Sequence, residues 1–301
     1  LNHEEVIEGH SIALRLVFVT SISFKVLFDQ TSLGFDVEAL IDEVSKILLE
    51  SRYAIALTGA GVSTESGIPD FRGPSGIWIK DPEAERRAYE AYGLFLRDPK
   101  AFWEDYLSRP SILGDLERAQ PNSSHYALAE LEEMGVLKCV ITQNIDGLHE
   151  KAGSKNVVEF HGSAFKLRCV DCNSRYSKSD FDLVSMKERG QLPPLCKKCG
   201  GVLKPDVVYF TEPIPRDVIA RSLEEVRKCD VMLVCGTSLI VYPAAELPRL
   251  VKRKAPPATV IEVNLEPTPA TFDGTSDYFL QGRTGEILPK IVEAVKRKLA
   301  K

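Results

Sequence analysis

The chain has no excess of positive charge. Its 38 Lys and Arg stand against 43 Asp and Glu, a formal net charge of -5, the wrong sign for a protein held to phosphate backbones. Nucleic acid is not expected as a direct ligand. Nor is there a long hydrophobic run: the apolar stretch Ile12 to Phe28 is broken by Arg15 and Lys25, leaving only Leu16 to Phe24 uncharged, well short of the roughly 20 residues of a membrane span. No small-residue cleavage site follows, and Glu4, Glu5 and Glu8 spoil a basic leader. Residues 1–35 therefore read as a poorly ordered extension with no assigned role, and no membrane partner is expected. Internal repeats and low-complexity tracts are also lacking, which sets aside repeat architectures. Finally, the seven cysteines cannot all pair within the chain, and four of them sit in two C-x-x-C pairs. That spacing suits a metal better than a disulfide framework and points to a reducing, cytoplasmic compartment.

What is present is ordinary in bulk and specific in detail. With 301 residues, 44% hydrophobic and 27% charged, the chain can bury a real core as two modest domains or one large α/β unit. From Asp36, placed as a helix cap, Val37, Leu40, Ile41, Val44, Ile47 and Leu48 recur at helical spacing. Short apolar runs at Tyr53 to Thr58, Val136 to Thr142, Val157 to Phe160, Val231 to Cys235 and Val260 to Val263 read as buried strands. Helical stretches such as Ser123 to Met134 and Arg216 to Lys228 lie between them, and this alternation implies a parallel, doubly wound sheet. A last helix, Glu286 to Leu299, ends in Lys296, Arg297 and Lys298, charges suited to a helix C-terminus and given no binding role. Pro74 to Pro121 and Cys169 to Cys199 break the rhythm and read as insertions forming a smaller second domain.

Polar motifs follow the strands directly: GAG at Gly59 to Gly61, QNID at Gln143 to Asp146, HG at His161 and Gly162, GTS at Gly236 to Ser238, and NLE at Asn264 to Glu266. In an open parallel sheet such loops leave the carboxyl edge together, where ligands bind. Gly59 and Gly61 would allow close backbone approach to a diphosphate, but Thr64 stands at the third fingerprint position, so the G-x-G alone fits an ordinary turn as well. Cys169, Cys172, Cys196 and Cys199 suit tetrahedral zinc, although the intervening stretch 173–195 is a little longer than the usual ribbon loop of about 15 to 20 residues. Four thiolates close the site, so the metal would fold the insertion rather than react. Cys139, Cys229 and Cys235 read as core residues.

With these motifs the chain resembles the sirtuin family of NAD-dependent protein deacylases from Asp36 to its end. GAGVSTESGIPDFRG (Gly59 to Gly73), TQNIDGLH (Thr142 to His149), His161–Gly162, the paired cysteines, GTSLIVYPA (Gly236 to Ala244) and VNLE (Val263 to Glu266) occur in the family's order. The resemblance implies a Rossmann-like doubly wound α/β domain from 36–73, 122–162 and 203–301, with a smaller domain of a helical module (74–121) and a zinc-ribbon module (163–202). It implies that the acyl oxygen of an acylated lysine attacks the nicotinamide ribose, nicotinamide leaves, and O-acyl-ADP-ribose and free lysine result. His161 would be the general base, with a ring that titrates near neutrality. Asn144 and Asp146 would hold the nicotinamide amide and ribose, and Gln143 and Ile145 belong to the same loop. Ser63, Thr64, Ile68, Phe71 and Arg72 would line the cofactor loop, with Phe71 excluding water. Ala60 and Gly61 would meet the diphosphate; Gly236, Thr237 and Ser238 ribose and phosphate; Asn264 and Glu266 the adenosine ribose; Thr284 the adenine.

An acylated peptide would lie as an extra strand between Val207, Val208 and Phe210 on one side and Leu239 to Val241 on the other. Here the family's F-G-E reads Phe210, Thr211, Glu212. A β-branched residue disfavours positive φ, so either this backbone position is ordinary in shape or the groove differs. Tyr106 and Arg109 match the Y-x-x-R of the branch that removes succinyl, malonyl or glutaryl groups; the guanidinium could fork onto a carboxylate and the phenol donate one more hydrogen bond. Protein ADP-ribosylation and non-catalytic NAD or ADP-ribose sensing are the alternatives, and no assembly state is assigned.

Overall fold

The computed structural model describes residues 37–73 and 76–300. The expected extension 1–35, the cap at Asp36 and the module boundary at Pro74 lie outside the described residues. Among these residues, strands run in chain order as β1 Ala54–Thr58, β2 Leu137–Thr142, β3 Val157–Glu159, β4 Gly162–Cys169, β5 Arg175–Ser177, β6 Leu203–Val207, β7 Val231–Cys235, β8 Thr259–Asn264 and β9 Tyr278–Gln281. Six form a parallel sheet in the order β3-β2-β1-β7-β8-β9, and three form a second sheet, β5-β4-β6, whose pairs are antiparallel.

The parallel sheet is apolar on both faces because both are covered. Along β1 the two-residue period sends Ala54 and Ala56 to one core and Ile55 and Leu57 to the other, and β7 divides in the same way. The first core takes helices Val37–Glu50, Ser123–Glu133 and Thr284–Leu299; the second takes side chains of Arg216–Lys228 and Leu247–Lys252. In helix Val37–Glu50 the buried Ile41, Val44 and Leu48 follow the expected stripe. The closing basic run is absorbed structurally: Lys296 pairs with Glu130 and Glu293, and Lys298 with Asp42.

Helices Pro82–Arg97 and Pro99–Ser108 pack on the antiparallel sheet, Phe95, Phe102 and Trp103 meeting Leu167 and Leu203 in one core. Trp103 is fully buried and its Nε1 donates to the Leu203 carbonyl at 2.9 Å. One boundary needs correction: β6 pairs with β4, so residues 203–207 go with the small sheet rather than with the parallel one. No helix among the described residues is long and apolar enough to cross a membrane.

Candidate active site

The order of the large sheet reverses at β1, whose neighbours are β2 and β7, and a crevice opens at such a switch point. A cleft of about 1620 Å³ lies there, walled by the loops after β1, β2, β7 and β8 and, opposite, by the helices and strands of the small unit. The glycines at its floor serve a purpose the sequence reading did not give them. A Cβ on Gly59 would stand 2.7 Å from Thr237 Cβ, and one on Gly61 would stand 2.8 Å from the Gly236 carbonyl oxygen. The Gly61 amide donates to that same oxygen at 2.8 Å, so these residues first let two loops of the protein approach each other.

Above them sits a compact polar set. Ser63 is buried; its Oγ donates to Asp146 Oδ2 at 2.6 Å and accepts from Asn144 Nδ2 at 3.0 Å. Asn144 Nδ2 also donates to the Gly59 carbonyl at 3.1 Å, and Asp146 Oδ1 accepts the Leu148 amide at 3.0 Å. Burial raises the Asp146 pKa, while the Ser63 hydroxyl and the Leu148 amide pull it back. Gln143 Nε2 donates to Thr237 Oγ1 at 2.9 Å, joining the loops after β2 and β7.

His161 is half-buried on the cleft wall, its Nδ1 3.1 Å from the Gln143 carbonyl oxygen. A carbonyl only accepts, so Nδ1 carries the proton and Nε2 is left as a bare acceptor. Burial lowers the ring's pKa, opposed by that hydrogen bond, which keeps the imidazole neutral at neutral pH and able to take a proton.

Most expected positions meet here: Gly59, Ala60, Gly61, Ser63, Thr64, Ile68, Phe71, Arg72, Gln143, Asn144, Ile145, Asp146, Gly236, Thr237, Ser238, Asn264 and Glu266 all line the cleft. So do Tyr106, Arg109, Val207, Val208, Phe210 and Val241. Two do not. The Leu239 side chain is buried in the second core, leaving only its backbone for a peptide. Thr284 is buried against Ser124, its Oγ1 accepting at 2.8 Å, and borders a small adjoining cavity shared with Gly61, Thr64 and Asn264. At Thr211 the first of the two expected alternatives, an ordinary backbone shape, is excluded: its φ is 69°, left-handed although the residue is β-branched. At the acyl end, Arg109 Nε donates to Asp105 Oδ1 at 2.7 Å, and Lys178 Nζ donates to the Tyr106 hydroxyl at 3.2 Å.

Sequence reading missed His125. It is fully buried, its Nδ1 accepts the Asn122 amide at 3.2 Å, and Nε2 points to Ser63 Oγ at 3.4 Å. Its ring contacts His149, whose Nε2 lies 3.0 Å from Thr58 Oγ1. The signal was present in Pro121-Asn122-Ser123-Ser124-His125, an N-cap with a partner three residues on.

The four cysteines converge in the small unit, their sulfurs within 4.8 Å of one another. Cys169 and Cys199 are 3.5 Å apart, and Cys172 and Cys196 3.6 Å. Such an S₄ set fits tetrahedral zinc, with no position left for a substrate. Cys169 and Cys196 belong to the same core as Trp103, so the metal would secure the cleft wall from behind.

The Sir2 family model matches residues 59–243. The chain is 47% identical to NAD-dependent protein deacylase 2 of Pyrobaculum aerophilum over 85% of its own length and 96% of that protein's. Among solved structures it is similar to a Sir2 homolog–NAD complex, with a TM-score of 0.69 and 43% identity covering 86% of this chain and 94% of that one. It is also similar to a Sir2 variant crystallised with a deacetylated p53 peptide and 3'-O-acetyl ADP-ribose, with a TM-score of 0.68 and 37% identity over 84% and 97%. At this level of identity, and over this much of its length, the chain belongs to the Sir2 family.

Proposed function

We propose that the protein is an NAD-dependent protein-lysine deacylase that acts first on acetyl-lysine and yields nicotinamide, O-acyl-ADP-ribose and free lysine. The observation that carries this reading is the 3.1 Å contact between His161 Nδ1 and the Gln143 carbonyl, which occupies one ring nitrogen of a cleft-lining histidine and leaves Nε2 as the base. NAD, when bound, supplies a glycosidic bond that breaks toward the acyl oxygen and a ribose that carries the acyl group away. His161 would accept the proton of a ribose hydroxyl and return it later. Asn144 and Asp146, locked through Ser63, present acceptor oxygens to the N–H groups of an uncharged carboxamide. Gln143, Thr237 and Ser238 would meet ribose, Ala60, Gly61 and Arg72 the diphosphate, and Asn264 and Glu266 the adenosine ribose. Ile68 and Phe71 would keep water from the reacting carbon. The acyl-lysine segment would pair with Val207 and Val208 on one side and with Val241 and the Leu239 backbone on the other. Zinc on Cys169, Cys172, Cys196 and Cys199 would be structural, and four reduced thiolates suit a reducing, cytoplasmic setting.

Arg109 is paired with Asp105 across half-exposed side chains, a contact worth at most about 1 kcal/mol, so a succinyl or malonyl carboxylate would have to exchange for that partner whereas an acetyl group would not. Incubation with NAD and an acetylated peptide should give free lysine peptide, nicotinamide and O-acetyl-ADP-ribose in equal amounts by mass spectrometry, all lost in His161→Ala. An ADP-ribosylated peptide would instead establish transfer. Turnover of acetyl and succinyl versions of one peptide, with and without Arg109→Met, tests the acyl reading. Equal loss on both removes any role for Arg109 in reading an acid.

A further inference from the structure

Behind the peptide edge lies a set of buried charges that the chemistry at His161 does not use. Lys204 is fully buried; its ammonium donates to the carbonyls of Pro205 at 2.8 Å and Val207 at 2.7 Å and lies 3.1 Å from Glu212 Oε2. The other carboxylate oxygen, Oε1, accepts from Arg168 Nη2 at 2.6 Å, and Arg168 Nε is tied to Asp206 at 2.9 Å. Charges persist inside a protein only where each finds its partners, and the arrangement that satisfies them all is correspondingly narrow.

What this set encloses is a four-residue turn. The Glu212 amide donates to the Tyr209 carbonyl at 3.0 Å, and the Tyr209 amide returns the contact to Glu212 Oε2 at 3.1 Å. Thr211 is the third residue of that turn, with φ at 69°, a position that favours glycine. A β-branched side chain resists this conformation, so the turn must be held from outside the threonine. The segment leading into it carries the cleft wall: Val207, Val208 and Phe210 line the cleft, and the Val208 amide donates to the His161 carbonyl at 2.9 Å.

We propose that Glu212, clamped by Lys204 and Arg168, is a positioning residue that keeps Thr211 left-handed and thereby holds the edge Val207 to Phe210 ready for an acylated peptide. The inference rests on the deacylase reading for the identity of the peptide, but the clamp itself can be tested without activity. Hydrogen–deuterium exchange over residues 205–213 of the full chain should rise about tenfold in Glu212→Gln, and by less than about threefold when Glu212→Gln is made on Thr211→Gly, since glycine takes positive φ unaided. In steady-state kinetics Glu212→Gln should raise KM for an acetylated peptide about tenfold while KM for NAD stays within about twofold, and the Thr211→Gly background should recover most of that loss. Glu212→Asp keeps the charge opposite Lys204 and should move both readouts in the same direction by less, which serves if the glutamine variant does not fold. Equal effects with and without Thr211→Gly, or a rise in KM for NAD in step with that for peptide, would overturn the proposal. A wild-type protein that turns over no acylated peptide would sink the deacylase reading and leave the exchange comparison to decide the clamp.

Discussion

On the parallel-sheet side of the cleft, functional side chains leave strands that are apolar on both faces; Ser63, Asn144 and Asp146 hold one another, and Gln143 holds Thr237, through short hydrogen bonds without a cation among them. On the opposite side, the wall is held by ion pairs among Arg168, Arg175, Lys204, Asp206 and Glu212 and by four converging thiols, with Arg175 also reaching across to Asp217 on helix Arg216–Lys228. The first wall owes its shape to packing, which neither chelator nor modest salt removes. The second depends on charges being satisfied and on a metal. The two walls should therefore fail separately, and the half that would take the cofactor should outlast the half that would take the peptide.

Metal removal tests this most severely. Small zinc domains draw about 10–16 kcal/mol from their metal, so a strong chelator, or Cys196→Ser, should unfold the small unit. Both tryptophans of the chain report on it, because Trp103 lies in the core with Cys169 and Cys196 and Trp78 packs beside Phe71 and Phe210. The expected outcome is a red shift of tryptophan emission and loss of peptide turnover, with NAD uptake still measurable by calorimetry. Loss of NAD uptake at the same chelator concentration would show that the two walls are one cooperative unit.

Next in size is His161→Ala, which should lower kcat/KM by about 10²–10⁴, the usual contribution of a general base. NAD uptake and tryptophan emission should not change. His161 sits where the walls meet, between the Gln143 carbonyl on one side and the Val208 amide on the other, so a shift in emission would mean that its ring also braces the small unit.

The difference between the walls also explains what could be read from the sequence. Five of the six strands of the large sheet announce themselves as mainly apolar runs, with single interruptions at Lys138, Glu159 and Glu262, because a strand covered on both faces has little polar side to show. The sixth, Tyr278–Gln281, buries only Leu280 and leaves too little pattern to find. In the small sheet, β4 reads GSAFKLRC, and Lys166 and Arg168 break any apolar signal. The partner of Arg168, Asp206, is 38 residues away, and Glu159 and Glu212 lie outside the helical i+3 and i+4 spacings from Lys166 and Lys204, so the buried Lys204 looks in sequence like any exposed lysine. The site loops were legible because their residue types fit the chemistry after each strand. His125 left only a capping pattern with Asn122, which marks a helix start rather than a site, and the Glu212 clamp showed only as the Thr211 beside it.

Smaller still is the cost of opening the core beneath the rim. Ile261 on β8 is fully buried in the first core, and Ile261→Ala should lower stability by about 2–5 kcal/mol. Far-UV circular dichroism should show this loss at a denaturant concentration at which tryptophan emission is still native. Coincident transitions by the two probes would again merge the walls.

The smallest effect separates the walls by pH. Burial drives the His125 pKa down to about 4 and that of His149 to about 3, against about 6.5 in an unfolded chain. Between those values the unfolded state binds protons that the native rim refuses, so stability is complete above about pH 6.5 and falls as the solution is acidified, by at most about 1.4 kcal/mol per histidine for each pH unit. An aspartate held ionised in the small unit behaves differently: hydrogen bonds from Ser185 lower the Asp182 pKa, and that stabilisation is lost only below the ordinary carboxylate range. Thermal unfolding followed between pH 5 and 7 should thus decline with a slope that His125→Gln makes shallower without abolishing it, since burial lowers the His149 and His161 pKa values as well. A slope unchanged in that variant would place the acid sensitivity in the small unit, where thiolates that take up protons release their metal, and would reverse the order in which the two walls are expected to give way.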